Sequence, residues 1–139
     1  MFKEIKEEDI QNGMFLLIKK KIQLDTLYPF CFIAVYVQQI GYKIVLQIIS
    51  KSLFCEDVEK LEKIELLPKF EGYNITAENR DTLLGIWAIP SDYMKNIANE
   101  QLLIWEEKME TKDTAKTKKA KTDLEDFKKG FGTLLKLPA

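Results

Sequence analysis

Carboxylates and thiols are the side chains of this sequence that could perform chemistry. Four acids crowd one segment, and a cluster of this kind could serve acid–base catalysis or hold a divalent metal ion: Glu56, Asp57, Glu59 and Glu62. The same segment repeats glutamate and lysine four residues apart, which is typical of a solvated helix face. We therefore rank an enzyme with carboxylate chemistry third among three function classes, and we predict no catalytic residue, no metal site and no cofactor.

The chain contains no histidine. Ser-His-Asp and Cys-His catalysis and His-ligated zinc are therefore excluded. Cys31 and Cys55 stand in apolar sequence without CxxC spacing, so we expect two buried free thiols rather than a disulfide or a metal site. Arg80 is the only arginine, whereas sites that clamp phosphate or carboxylate usually use more than one. These observations favour a protein that is not an enzyme.

Positive charge is concentrated near the end of the sequence. Residues 111–122 hold five lysines and one acid, while the formal net charge of the 139 residues is −1, so the rest of the chain is acidic. Lysines spaced by Thr, Ala and Asp are typical of a soluble linker, and we predict a Lys-rich linker over 111–122. The alternative is a nucleic-acid-associated protein whose lysines contact phosphates without sequence preference: Lys116, Lys118, Lys119 and Lys121.

Two apolar runs in the first half of the chain predict buried strands. Gly13 precedes MFLLIKKKIQL, and Pro29 opens FCFIAVYVQQ. Both runs are rich in apolar and β-sheet-forming residues. QIGY then offers a turn through Gly41 into KIVLQIIS, so residues 29–50 should form a β-hairpin. The aromatic residues along this hairpin could stack nucleic-acid bases, but few basic residues interleave with them, so core positions are favoured: Phe30, Phe32, Tyr36 and Tyr42.

The pattern changes to a helical one after residue 51. Apolar residues recur at three or four positions from Phe54 to Ile64, which predicts a short amphipathic helix that ends before Pro68. A second short helix is predicted over 76–84, followed by a strand in IWAIP. Ser91 can cap a long helix over 92–109.

The string EEDIQNGMFLLIKK resembles the start of many small SH3-like barrels, in which an acidic-Ile-x-x-Gly turn leads into the first strand. The resemblance implies a small, strongly curved sheet and carries no implication about activity. The predicted fold class is α+β: an antiparallel sheet or SH3-like barrel of four to five strands with covering helices. This globular domain should occupy residues 1–110.

Residues 123–139 are predicted to form an amphipathic docking tail. Thr122 and Glu125 have the spacing of a capping box, and Gly130 could end the helix after two turns at most. So short a helix is not stable alone, so it must pack on its own domain or on another chain. We hypothesise docking on a partner or a neighbouring subunit through the apolar residues of the tail: Leu124, Phe127, Phe131, Leu134, Leu135 and Leu137.

The function most favoured by these patterns is a non-catalytic assembly or adaptor protein. It would bind another protein or form a homo-oligomer through the tail, and a phage structural component is one form that it could take. The N-terminus lacks the apolar core of a signal peptide, and no apolar run is long enough for a membrane-spanning helix. We therefore expect a cytoplasmic protein, or a virion protein if it is phage-encoded, with no membrane contact.

Overall fold

Two helices pack on one face of a seven-stranded antiparallel sheet. A computed structural model of the chain describes residues 2–21, 29–61, 64–109 and 114–135. The predicted α+β class is confirmed, whereas four to five strands and an SH3-like barrel are not. In chain order the elements are β1 (Lys3–Glu4), β2 (Phe15–Lys21), β3 (Pro29–Ile40), β4 (Lys43–Ser50), β5 (Leu53–Phe54), β6 (Leu66–Ile75), β7 (Leu83–Ile89), α1 (Ser91–Met109) and α2 (Thr114–Leu135).

The strands lie in the order β1-β7-β2-β3-β4-β6, and β5 adds to the start of β3. The predicted hairpin over 29–50 is present, and the left-handed backbone of Gly41, with φ of 60°, makes its turn. Gly13, with φ of 80°, turns the chain into β2. The central strands β2 and β3 are buried on both faces of the sheet, which explains why their sequences are continuous apolar runs rather than alternating ones.

Each face of the sheet has its own apolar core. The face beneath the helices includes Leu17, Ile33 and Ile49, which pack with Met94 and Trp105 of α1. The opposite face carries no described α-helix, yet its side chains from β2, β3, β4, β6 and β7 are buried. The N-terminal segment helps to cover them, because Ile5, Ile10 and Met14 pack against this face. The residues of this second core are Leu16, Ile18, Phe32, Ala34, Tyr36, Ile44, Leu46, Ile75 and Ile86.

Two predicted short helices are wrong. The segment after residue 51 forms β5 and a single 3-10 turn at Val58–Lys60, followed by strand β6, which runs through Pro68. The segment predicted as helix over 76–84 forms a 3-10 turn at Arg80–Thr82 and then the start of β7. In both places apolar residues at helical spacing belong to short extended pieces, because tertiary packing overrides a weak local preference.

Strand β6 is the last strand in the order, and its pairing with β4 is irregular. Ile48 is the partner of Glu71, and Ser50 is the partner of Leu66. Between these two pairs, a single residue of β4 therefore stands opposite four residues of β6, and Pro68 is one of those four.

The long helix α1 begins and ends where the sequence predicts. Ser91 and Met109 are its first and last residues. Its inner face also buries a polar side chain, Gln101, whose Oε1 accepts a hydrogen bond of 3.2 Å from the backbone N–H of Leu66. This bond ties α1 to the start of β6. Among the described residues, neither helix combines the length and the apolar content needed to cross a membrane.

Candidate functional site

Three of the predicted docking residues lie in the core of their own chain. Leu124, Phe127 and Phe131 are buried on the inner face of α2. The centroid of the Phe127 ring lies 4.6 Å from that of Trp105 and 4.3 Å from that of Phe131. Phe131 in turn meets Phe70 of β6 edge-on at 5.1 Å. Docking of the tail on a second chain stays a prediction, and in this structure these three side chains are already packed. The other predicted docking positions lie outside the described side chains: Leu134, Leu135 and Leu137.

Helix α2 is much longer than the predicted two turns. The Thr122 hydroxyl donates a 3.1 Å hydrogen bond to the carbonyl of Lys118, so Thr122 lies inside the helix and not at its N-cap. Gly130 does not end the helix. A Cβ at this position would come within 3.0 Å of the Phe70 ring, so the glycine allows α2 to approach β6 closely. The segment predicted as a linker is therefore helical from Thr114 onward.

The lysines that could contact phosphates lie on the first turns of α2, before its packed part. Lys118, Lys119 and Lys121 are exposed, and the first buried side chain described on this helix is Leu124. The first turn of α2 holds no acid that would offset the positive charge of these lysines. The side chain of Lys116 lies outside the described part of the chain.

In the described part of the acidic segment after Cys55, Asp57 has a structural role. A carboxylate oxygen of Asp57 accepts a 3.0 Å hydrogen bond from the backbone N–H of Glu59 and so caps a 3-10 turn. Glu62 lies outside the described residues. Across the part of the chain that the structure describes, no group of three His, Cys, Asp or Glu side chains could hold a metal ion.

The end of the β3–β4 hairpin presents apolar side chains to solvent. In the described residues, β2 pairs with β3 only as far as Val35, so the hairpin continues beyond β2. Tyr42 is 85 % exposed, Ile40 55 % and Val37 38 %. Apolar side chains gathered on one projection mark a contact surface more often than scattered ones do. We call residues 37–43 the hairpin tip.

Hydrogen bonds from Arg80 hold the hairpin tip in place. Its Nη2 donates a 3.0 Å hydrogen bond to the carbonyl of Tyr42, and its Nε donates at 3.1 Å to the carboxylate of Glu7. One guanidinium thus joins the N-terminal segment, the tip and the turn before β7. Within the tip, the side-chain amide of Gln39 donates at 3.1 Å to the carbonyl of Gly41. A tip that is ordered before binding loses less conformational entropy when a partner binds.

Sequence reasoning missed the hairpin tip because Tyr42 was grouped with the core aromatic residues of the hairpin. Phe32 and Tyr36 are indeed buried. Between Tyr36 and Gln38, however, the pairing with β4 shifts by one residue, so Val37 is a bulge. A bulge redirects the side chains that follow it, and hydrophobic periodicity does not reveal it. The available signal was the string QQIGYK, which places apolar residues beside a turn glycine.

The two cysteines are buried free thiols, as the sequence predicts. They belong to the core beneath the helices, and the Cys31 thiol is hydrogen-bonded to Cys55. Burial, and secondarily this hydrogen bond, raises the pKa of Cys31 to about 12. Cys31 therefore stays protonated at neutral pH. The ammonium of Lys19 lies near enough to lower the pKa of Cys31, which partly offsets the larger effects.

The fold and its exposed surfaces define an antiparallel α+β protein with two packed α-helices on one face of the sheet and exposed apolar side chains at the tip of a β-hairpin. No protein-family model matches the chain, and no curated protein or solved structure matches it either.

Proposed function

We propose that the protein is a non-catalytic adaptor or assembly component that docks on another protein through its hairpin tip. The observation that supports this proposal is the exposure of Val37, Ile40 and Tyr42 on a projection braced by Arg80. Tyrosine is enriched among the residues that dominate binding energy at protein interfaces. Fully burying a large apolar side chain contributes about 1.5–3 kcal/mol, so Ile40 and Tyr42 could together anchor a complex.

The charge around the tip indicates which kind of partner fits it. Lys43 is exposed next to Tyr42, whereas the carboxylate of Glu7 near the tip is paired with Arg80. The partner should therefore offer an apolar pocket for the tyrosine ring with an acidic rim that faces Lys43, because complementary charges suppress wrong partners and speed association. A cellular regulator and a component of a virion are both compatible with this chemistry.

A pair of variants tests the proposal. A photo-crosslinking residue at position 42 should capture a protein from native cells that can then be purified and titrated. That protein should bind the double variant Ile40→Gln/Tyr42→Ser at least about 30-fold more weakly than wild type, since this ratio corresponds to a loss of about 2 kcal/mol of binding free energy. Leu103→Gln is the matched control, because Leu103 is exposed on α1, away from the tip.

The opposite pattern would refute docking through the tip. If Leu103→Gln weakens binding and the tip variant does not, the outer face of α1 is the contact surface. If wild type sediments as an oligomer that the tip variant cannot form, the partner is a second copy of this chain.

A nucleic-acid-associated function is the second candidate, and the exposed lysines at the start of α2 favour it. Binding through these lysines would fall steeply with salt, and each phosphate contact removed would lower the log–log slope by about one unit. We expect Lys118→Gln/Lys119→Gln/Lys121→Gln to leave protein binding intact. Fluorescence anisotropy with single-stranded DNA, duplex DNA and RNA over a salt series checks this, and a steep slope that the variant loses would favour the nucleic-acid function.

A further inference from the structure

Cys31 and Cys55 face each other at the point where β5 joins β3. Cys31 is the register partner of Leu53, and the backbone N–H of Cys55 donates a 3.2 Å hydrogen bond to the carbonyl of Pro29. The cysteines are thus two residues out of register on neighbouring chain segments. Their side chains enter the same core and are hydrogen-bonded to each other. Two thiols in contact across strands can be joined without refolding of the sheet.

A cation lies beside the thiol pair. Cys31 keeps its proton at neutral pH, because burial and the contact with Cys55 raise its pKa to about 12. Lys19 is the register partner of Cys31 on β2, and its Nζ donates a 2.5 Å hydrogen bond to the carbonyl of Glu56, the residue after Cys55. A cation beside a thiol raises the fraction of reactive thiolate.

Access to the pair is asymmetric. A cleft of about 380 Å³ is lined by residues 53–57 with Lys60 and Leu61, so Cys55 forms part of its wall and Cys31 does not. The cleft is far larger than the roughly 30 Å³ that one water molecule occupies in the liquid. A small hydroperoxide therefore fits in the cleft beside Cys55, which is 5 % exposed, whereas Cys31 is 1 % exposed and does not line the cleft.

We propose that Cys55 and Cys31 form a peroxide-sensitive thiol pair, in which Cys55 reacts first and Cys31 then closes a disulfide. In the first step the Cys55 sulfur attacks hydrogen peroxide, the O–O bond breaks, and a sulfenic acid and one water are formed. In the second step the Cys31 sulfur attacks the sulfenic sulfur, and the displaced hydroxide takes the Cys31 proton to leave as water. Peroxide is reduced and the two thiols are oxidised, with two waters as the products.

The disulfide would fix β5 to β3. A covalent bond brings the sulfurs closer than a hydrogen bond does, so one backbone must move. In the described residues β5 has two residues and pairs only with β3, whereas β3 is held between β2 and β4. Strand β5 therefore moves, and the part of the cleft wall that Phe54 and Cys55 form moves with it.

Mass spectrometry of the folded protein tests the proposal. After mild peroxide treatment, wild type should lose two hydrogens and yield one linked peptide pair containing Cys31 and Cys55, and a reductant should reverse the change. Cys31→Ser should stop at a sulfenic acid on Cys55 that dimedone traps. Cys55→Ser should leave Cys31 unmodified at the same peroxide dose. Lys19→Gln should slow disulfide formation several-fold. Lys60→Gln is the control and should not slow it, although Lys60 lines the same cleft as Cys55.

Three results would overturn the proposal. One is a wild type that gains oxygen without forming the internal link. The second is a link that forms as fast in urea as in buffer, since folding would then contribute nothing. The third is oxidation of Cys31 in Cys55→Ser at the wild-type rate, which would reverse the assigned order. Circular dichroism and thermal melting of each variant establish that it is folded before it is oxidised.

Discussion

Replacing Phe127 by alanine tests whether α2 belongs to the core of its own chain. Phe127 is fully buried and its ring contacts those of Trp105 and Phe131. Truncation of a buried phenylalanine to alanine costs about 3–5 kcal/mol, and each lost aromatic pair adds to the value expected from burial alone. We expect the upper half of this range, because two ring contacts are lost together.

A loss of this size should be evident in unfolding experiments. Domains of this size have a free energy of unfolding of about 5–15 kcal/mol, so the variant would lose a large share of its stability. Each kcal/mol corresponds to roughly 4 °C in Tm, so a loss of about 4–5 kcal/mol predicts a decrease of about 16–20 °C. Urea unfolding should show a lower midpoint with an unchanged slope. Glu125→Ala is the matched control, since Glu125 lies on the same helix and is exposed.

A change below about 1 kcal/mol would refute the packing of α2 described above, because a truncated core aromatic residue does not cost so little. A second result would assign the contact to another chain. If Tm of wild type rises with protein concentration and Phe127→Ala removes that dependence, the helix packs on a neighbouring subunit.

Three further outcomes follow from close contacts. Gly85→Ala should destabilise the protein by about 1–3 kcal/mol in urea unfolding, because a Cβ there would come within 2.5 Å of the rigid indole of Trp87. Gly72→Ala on β6 is the control and should not destabilise the protein, because the space around Gly72 is open. Gln101→Met should cost about 1–3 kcal/mol, since it leaves a buried backbone N–H of β6 without its acceptor; unchanged stability would contradict this. Folding favours the protonated thiol of Cys31, because its pKa is raised from 9.0 to about 12. The free energy of unfolding should therefore fall as pH rises from about 9 towards 12, and the fall should be smaller in Cys31→Ala.

The parts of the fold that the sequence predicts are those with strong, local signals. The hairpin over 29–50 has two long apolar strands and a turn glycine, and α1 has a cap-forming residue type at Ser91, its first residue, and an apolar stripe over five turns. Cys31 and Cys55 were correctly placed in the interior, because the sequence around each is apolar. In these cases local preference and tertiary packing favour the same structure.

The remaining parts depend on contacts between residues distant in the sequence. Strand β6 contains Pro68 and alternates poorly, and it forms because β4 supplies a partner. Gly130 carries the sequence signal of a helix end, but its lack of a side chain serves the contact with Phe70. The hairpin tip depends on a bulge at Val37, and the thiol pair depends on the pairing of β5 with β3. None of these four features leaves a periodic pattern in the sequence.

The irregular pairing of β6 bears on how the protein behaves at high concentration. An outermost strand with regular unpaired N–H and C=O groups can recruit strands from other molecules and start edge-to-edge aggregation. In β6 the four residues opposite a single residue of β4 break that regular spacing, and Pro68 removes one donor. Lys69, whose ammonium lies 3.8 Å from the carboxylate of Asp126 on α2, adds a charged and exposed side chain to this strand. At this edge of the sheet, β6 thus resists the addition of a foreign strand, which lowers the tendency of the folded protein to aggregate edge to edge.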